Sequence, residues 1–309
     1  MTAETLARQG VSRPPTRDLG LIVVALLAVS TSGPLIAATA VPALAIAFWR
    51  NAMAGAVLTP LVLVRNRAEL RGLDRRERRL ALLAGVLLAL HFGTWIPAIS
   101  YTSVASATAL VATQPVWSAL LGRLRGEAVL GQVWLGIAVA MCGALLLTGA
   151  DFRVSGDALL GDGLAVLGGI FAAGYMTAGS EVRRSVSTTT YTALCYTTTA
   201  LLLLGVCLVG GQSLGGYDGS DWLKLVALTG GAQLLGHSLF NVVLRTTSPT
   251  VVSLSILFEI PGAAVIAALF VEGQHVPLLA VPAAVLLVCG LALVIRSSSR
   301  DAAPSVPVE

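Results

Sequence analysis

Hydrophobic residues run along this chain in long blocks, and short polar clusters rich in arginine separate them. The blocks fall near residues 19–40, 42–64, 80–100, 102–122, 131–149, 159–178, 188–210, 223–244, 250–271 and 276–296. Each has about the ~20 residues that a helix needs to cross a hydrocarbon core ~30 Å thick. A membrane barrel would show ~10-residue segments of alternating polarity, whereas these blocks are continuous in Leu, Ala, Val and Gly. The pattern predicts an all-α integral membrane protein with ten transmembrane helices. Residues 1–18 are polar and hold Pro14-Pro15, and residues 297–309 read "SSSRDAAPSVPVE", too polar to bury a core. The first block has no clear small-residue cleavage site and leads straight into the second, so it is expected to be retained rather than removed as a signal peptide.

Composition agrees: 56% of the 309 residues are hydrophobic and 12% charged, about half the charge of a soluble domain. Cys142, Cys195, Cys207 and Cys289 lie inside blocks at no metal-ligand spacing and are expected to be small buried apolar side chains. The basic residues form no patch interleaved with aromatics, which argues against nucleic acid.

The arginines supply the orientation. Arg8, Arg13 and Arg17 precede block one; Arg65, Arg67, Arg71, Arg75, Arg76, Arg78 and Arg79 follow block two; Arg123 and Arg125 follow block four. Arg183 and Arg184 follow block six, Arg245 block eight, and Arg296 and Arg300 block ten. With ten crossings all of these share one side, against only Arg153 and Lys224 on the other. The positive-inside rule makes the arginine-rich side cytoplasmic, with both termini there. One crossing more or fewer in the middle would scatter the later arginines over both faces.

The chain also resembles itself. An offset of 146 lays "LLAGVLLALHFGTW" (82–95) on "LTGGAQLLGHSLFN" (228–241), pairing Gly85 with Gly231 and His91 with His237, and further on Pro115 with Pro261. A neighbouring offset pairs Glu127 with Glu272 and Met141-Cys142-Gly143 with Val288-Cys289-Gly290. Five helices per half is an odd number, so the second copy must enter the membrane in the opposite sense. That predicts two inverted five-helix repeats, residues 19–149 and 159–296, between tails 1–18 and 297–309, a construction that exposes a midplane site to each side in turn.

On these residues the chain resembles the EamA-like transporters of the drug/metabolite transporter superfamily, over roughly residues 18–296. The resemblance rests on the second-helix arginine in "FWRNAMAG" (48–55). It also rests on a small, apolar, proline-containing helix ending in glutamate in each half: "YTSVASATALVATQPVWSALLGRLRGE" with Pro115 and Glu127, and "SPTVVSLSILFEIPGAAVIAALFVE" with Pro261 and Glu272. It implies a secondary transporter of the inner or plasma membrane, often an exporter of amino acids or other small metabolites. Two positions depart from repeat symmetry. Arg50 matches uncharged Ala193, by the offset of 143 that pairs Gly20 with Gly163, and Glu259 matches Thr113.

An intramembrane charge marks a functional position unless it snorkels or holds a static pair. Arg50 lies about eight residues, or ~12 Å, below the outer surface, and is a candidate for a substrate carboxylate or for pairing with Glu259. Glu259, near the midplane, shares a face with Ser255 by helical spacing and is a candidate proton carrier. Gln233, His237 and Asn241 recur at intervals of four, one stripe on one face, and His91 with Trp95 occupies the matching place in the first half; these are candidate cavity lining. Thr113 and Gln114, with Tyr101, form a further polar group around Pro115, and Pro115 and Pro261 are candidate hinges.

The expected partners are a small-molecule substrate and the lipid bilayer, with no cofactor, no metal and no nucleic acid. No phosphate-binding Gly-x-x-x-x-Gly-Lys-Ser/Thr motif occurs, so a gradient must supply the energy; the membrane potential is worth ~2.3 kcal/mol per charge per 100 mV. The competing readings are a small-solute channel and an intramembrane hydrolase or transferase. The enzyme would need a nucleophile with its base, a metal cluster or paired carboxylates, and Glu259 is the only acid expected clearly at the midplane.

Overall fold

With no water to satisfy backbone groups in a bilayer, an apolar block must close its hydrogen bonds within itself. The computed structural model describes residues 14–102, 104–148, 156–270 and 278–300. In the first half it has α1 (Thr16–Val29), α2 (Ser32–Ala37), α3 (Ala43–Arg65), α4 (Arg67–Gly72), α5 (Arg75–Tyr101), α6 (Val104–Val111), α7 (Gln114–Leu124) and α8 (Gly131–Thr148). The second half has α9 (Gly156–Val182), α10 (Thr188–Val209), α11 (Gly219–Leu228), a π-helix (Thr229–His237), α12 (Ser238–Val243), α13 (Pro249–Ile256), α14 (Glu259–Phe270) and α15 (Ala280–Arg300).

Among the described residues, seven segments are long and apolar enough to cross a membrane: Thr16–Ala37, Ala43–Arg65, Arg75–Tyr101, Gly156–Val182, Thr188–Val209, Pro249–Ile266 and Ala280–Ser297. A shorter apolar helix covers Gly131–Leu147. The expected blocks 102–122 and 223–244 are not single α-helices. The first breaks at 112–113, between α6 and α7, and the second runs through the π-helix.

A second break, at 257–258, separates α13 from α14, and the offset of 146 carries one break onto the other to within a residue. The continuous, proline-bent helices expected here are thus corrected to pairs of half-helices. Pro115 and Pro261 sit in the first turns of α7 and α14, where the missing N–H has no intrahelical partner to lose. Discontinuous helices at matching places in two repeats are the usual marker of a transport site.

Repeat-equivalent helices cross antiparallel. A Cβ on Gly143 of α8 would lie 2.8 Å from the Ala283 carbonyl of α15, and one on Gly290 of α15 would lie 2.5 Å from the Gly136 carbonyl of α8. Matching Gly143 to Gly290 matches Gly136 to Ala283, so the two contacts exchange under the repeat as a twofold axis requires. The second helices of the halves behave alike, with Gly55 of α3 against Thr197 of α10, and Asn66 beside Ser187 at the other end. Small residues let these backbones approach. The Cys142 and Cys289 side chains are exposed on this helix pair, correcting the expectation of burial, while Cys195 and Cys207 are buried.

At the arginine-rich end, acids tie the halves together. Glu69 accepts from the Ser187 amide at 2.7 Å, from the Ser187 and Thr190 hydroxyls and from Asn66 Nδ2 at 3.2 Å. Burial alone would raise this carboxyl, but those hydrogen bonds outweigh it and hold the pKa down at about 2. Glu181 at the end of α9 meets Arg76, Arg125 and Arg184 at 3.3, 3.6 and 3.4 Å. Glu272, Arg153 and most of both expected tails lie outside the described residues.

Candidate functional site

The interior between α3, α5, the π-helix and α12 is built around Arg50. The eighth residue of α3, it is 1% exposed. Its Nε donates to Gln233 Oε1 at 2.8 Å, and its Cζ sits 4.5 Å from the centroid of the Phe92 ring, a cation–π contact. Gln233 Nε2 donates in turn to Asn51 Oδ1 at 3.1 Å, and Asn51 Nδ2 to the Ala47 carbonyl at 2.9 Å. The chain Ala47–Asn51–Gln233 thus orients one edge of the guanidinium. Its Nη2 is buried with no hydrogen-bond partner. Glu259 and Arg50 act on each other electrostatically, yet no direct ion pair joins them among the described residues. A buried arginine with an unpartnered donor and no carboxylate on it has the chemistry to receive an anion.

Phe92 and His237 meet edge to face at 6.2 Å, and His91 stacks on Trp95 at 5.9 Å with the rings 2° apart. His91 Nδ1 lies 2.9 Å from the Gly168 carbonyl; a carbonyl only accepts, so Nδ1 carries the proton. Gly168 is needed there, because a Cβ would lie 3.0 Å from that of Trp95.

The structure therefore brings together Arg50, Gln233 and, through Phe92, His91, Trp95 and His237. It does not gather the others at the same point. Asn241 turns away and donates from Nδ2 to Tyr175 Oη at 2.7 Å and to the His237 carbonyl at 2.9 Å. Of the expected stripe, Gln233 and His237 lie in the π-helix and Asn241 in α12. Ser255, near the end of α13, and Glu259, at the start of α14, flank the turn at 257–258; Ser255 donates to its own helix at Val251 O, 2.9 Å. Glu259 opens α14 and is half-buried. Gln114 lies in a second polar knot that joins the half-helices, donating to Ser253 Oγ at 3.2 Å and Met176 Sδ at 3.0 Å, with Ser118 and Ser253 2.8 Å apart. Thr113 Oγ1 caps Leu110 O at 2.6 Å and accepts from Trp117 Nε1 at 3.0 Å. Tyr101 is exposed and belongs to neither cluster.

Asn51, Phe92, Tyr175 and Ser253 were missed. Asn51 and Phe92 adjoin Arg50 and His91, which was the available signal; Tyr175 and Ser253 carried none. One nucleophile-like spacing, Gly-x-Ser-x-Gly, is present at Gly211-Gln212-Ser213-Leu214-Gly215. It lies in the irregular link after α10, with Ser213 Oγ donating to Gly215 O at 2.8 Å, and not on the strand–turn–helix that a nucleophile elbow needs.

A cavity of about 110 Å³ lies between Thr59, Val62, Leu70 and Ala193, and an apolar groove of about 460 Å³ between Pro261 and Cys289. Neither is lined by Arg50.

A family model described as the EamA-like transporter family matches residues 18–149 and again 159–296. One similar solved structure, described only as "Crystal structure of protein", superposes with a TM-score of 0.77 at 20% identity, covering 93% of this chain and 99% of that one. At that identity the likeness shows the fold alone. No curated protein matches the chain.

Proposed function

Because this chain belongs to the EamA-like transporter family, we propose that it is a secondary carrier of ten crossings in two inverted repeats, exporting amino acids or related small metabolites across the inner or plasma membrane, with both termini cytoplasmic. The antiparallel crossing of α8 with α15 and of α3 with α10 supports the inverted repeat, and the one-sided arginines support the orientation.

The observation that carries the carrier reading is Arg50, held at Nε by Gln233, stacked against the Phe92 ring and buried with Nη2 unpartnered. A substrate carboxylate fits that free donor, while Glu259 is the carboxylate whose charge reaches Arg50 and can answer an ammonium group or carry a proton. A zwitterion satisfies both.

The test is counterflow of labelled amino acids and small metabolites in proteoliposomes, with wild type and Arg50→Ala side by side. Saturable exchange of one class by wild type, lost by the variant for carboxylate-bearing solutes, is expected. Unsaturable flux would indicate a channel, and no flux of any solute by folded protein would remove this cargo assignment.

A further inference from the structure

Six buried polar atoms have no hydrogen-bond partner among the described residues: Arg50 Nη2, Trp95 Nε1, Asp162 Oδ1, Thr177 Oγ1, Tyr191 Oη and Tyr196 Oη. Such atoms are few in well-packed proteins, because each costs ~1–3 kcal/mol. These are not scattered. All belong to α3, α5, α9 and α10, and at 1.5 Å per residue they descend in series. Asp162 and Trp95 lie toward the outer end and Arg50 deeper; then come Tyr196 ~13 Å, Thr177 ~8 Å and Tyr191 ~6 Å from the arginine-rich ends of their helices.

The lower part of the series is continuous. Tyr196 and Arg50 act on each other electrostatically, and the Tyr196 hydroxyl has Ser238 and Asn241 as polar neighbours without a hydrogen bond of ordinary geometry. Tyr191 stands in the same relation to Cys195 and Tyr175. Both tyrosines are 0% exposed. Gly179 leaves room for the Tyr191 hydroxyl, since a Cβ there would lie 2.6 Å from it. Below it Arg183 is 3% exposed, donates to the Asn241 and Val186 carbonyls, and has no carboxylate partner among the described residues. If the tyrosines served only to fill volume, phenylalanine would do so without burying a hydroxyl.

We infer that these groups mark the collapsed cytoplasmic half of the substrate path, leading from Arg50 past Tyr196 and Tyr191 to Arg183, and that the path takes a solute bearing an oxygen-rich anionic group. The chemistry is one-sided: of the six unpartnered atoms only Asp162 Oδ1 is purely an acceptor, and the rest can donate. When the halves separate, water and the solute's oxygens satisfy them. The inference rests on the carrier reading, but part of its test does not.

In a full-length protein freed of its four cysteines, Tyr191→Cys is exposed to an anionic, membrane-impermeant thiosulfonate from the arginine-rich side, beside a control Leu201→Cys on the lipid-facing side of α10. Labelling of position 191 at least ~10-fold faster is expected, since reaction needs a hydrated thiolate; a rate no faster than at 201 overturns the path. Labelling needs no transported solute, so labelling at 191 with a silent counterflow panel overturns the cargo and leaves the path standing. Tyr191→Phe and Tyr196→Phe, which keep the volume, serve if the cysteine variant does not fold. Path lining predicts an unchanged or higher Tm with a KM for the exchanged anion raised ~3–10-fold, whereas unchanged KM in both overturns the inference.

Discussion

Replacing Gln233 by Glu places a carboxylate where the amide oxygen now stands 2.8 Å from Arg50 Nε. Two unit charges ~4 Å apart at an effective dielectric of ~20 attract by ~4 kcal/mol. Burying the new carboxylate returns several kcal/mol, leaving ~1–3 kcal/mol by which the side chain competes with a substrate anion. At 1.36 kcal/mol per tenfold, KM for a carboxylate-bearing solute should rise ~10–100-fold. Thermal stability should change little, because the new ion pair is offset by loss of the hydrogen bond that Gln233 Nε2 donates to Asn51 Oδ1. A raised KM in a protein of near wild-type stability separates an anion receptor from a structural arginine, whose pairing leaves transport alone. The assay is counterflow from about pH 6 to about pH 8.5, since a buried glutamate ionises late, with Tm followed in parallel. Wild-type KM across that whole range, in folded protein, would mean that Arg50 does not hold the substrate.

Three further outcomes are expected. Glu259→Gln should abolish the pH dependence of transport if Glu259 carries the coupling proton; an unchanged profile with unchanged rate removes that role. Gly290→Ala should lower Tm, because its Cβ would lie 2.5 Å from a backbone oxygen and 2.7 Å from Ala140 N, an overpacking worth ~1–3 kcal/mol; Gly143→Ala, its repeat mate, should do the same, and wild-type stability in both would contradict the antiparallel axis. Glu69 has a folded pKa of about 2, below its unfolded value of ~4.3. Its contribution is therefore complete above about pH 4.5 and fades as pH falls toward 2. The Tm gap between wild type and Glu69→Gln should be constant at neutral pH and narrow across that window; a gap that widens on acidification contradicts the assignment.

Much of the architecture was legible in one dimension. The length of an apolar block is set by bilayer thickness, and a charge bias between loops is set by membrane insertion, so neither depends on which helix touches which. The self-match at offset 146 located both broken helices in advance, although it placed prolines where it could not show a break. The site was half legible. Arg50 stood out because a guanidinium in hydrocarbon is costly, and Gln233 because it is polar in an apolar block. Their meeting, 183 positions apart in sequence, was not readable, and neither was Phe92 beneath the guanidinium, since an apolar ring in an apolar block carries no mark.

Backbone geometry also changes in places that local spacing does not mark: a π-helix at Thr229–His237 and a turn at 257–258 interrupt the regular 3.6-residue period. Hydropathy and charge asymmetry are sums over the residues of one segment against one solvent, and the chain carries them wherever it folds. Which donor of Arg50 is left without a partner, and which tyrosine hydroxyls are buried, depends on distances between segments that share no sequence neighbourhood. Those distances exist only after the two halves have packed against each other.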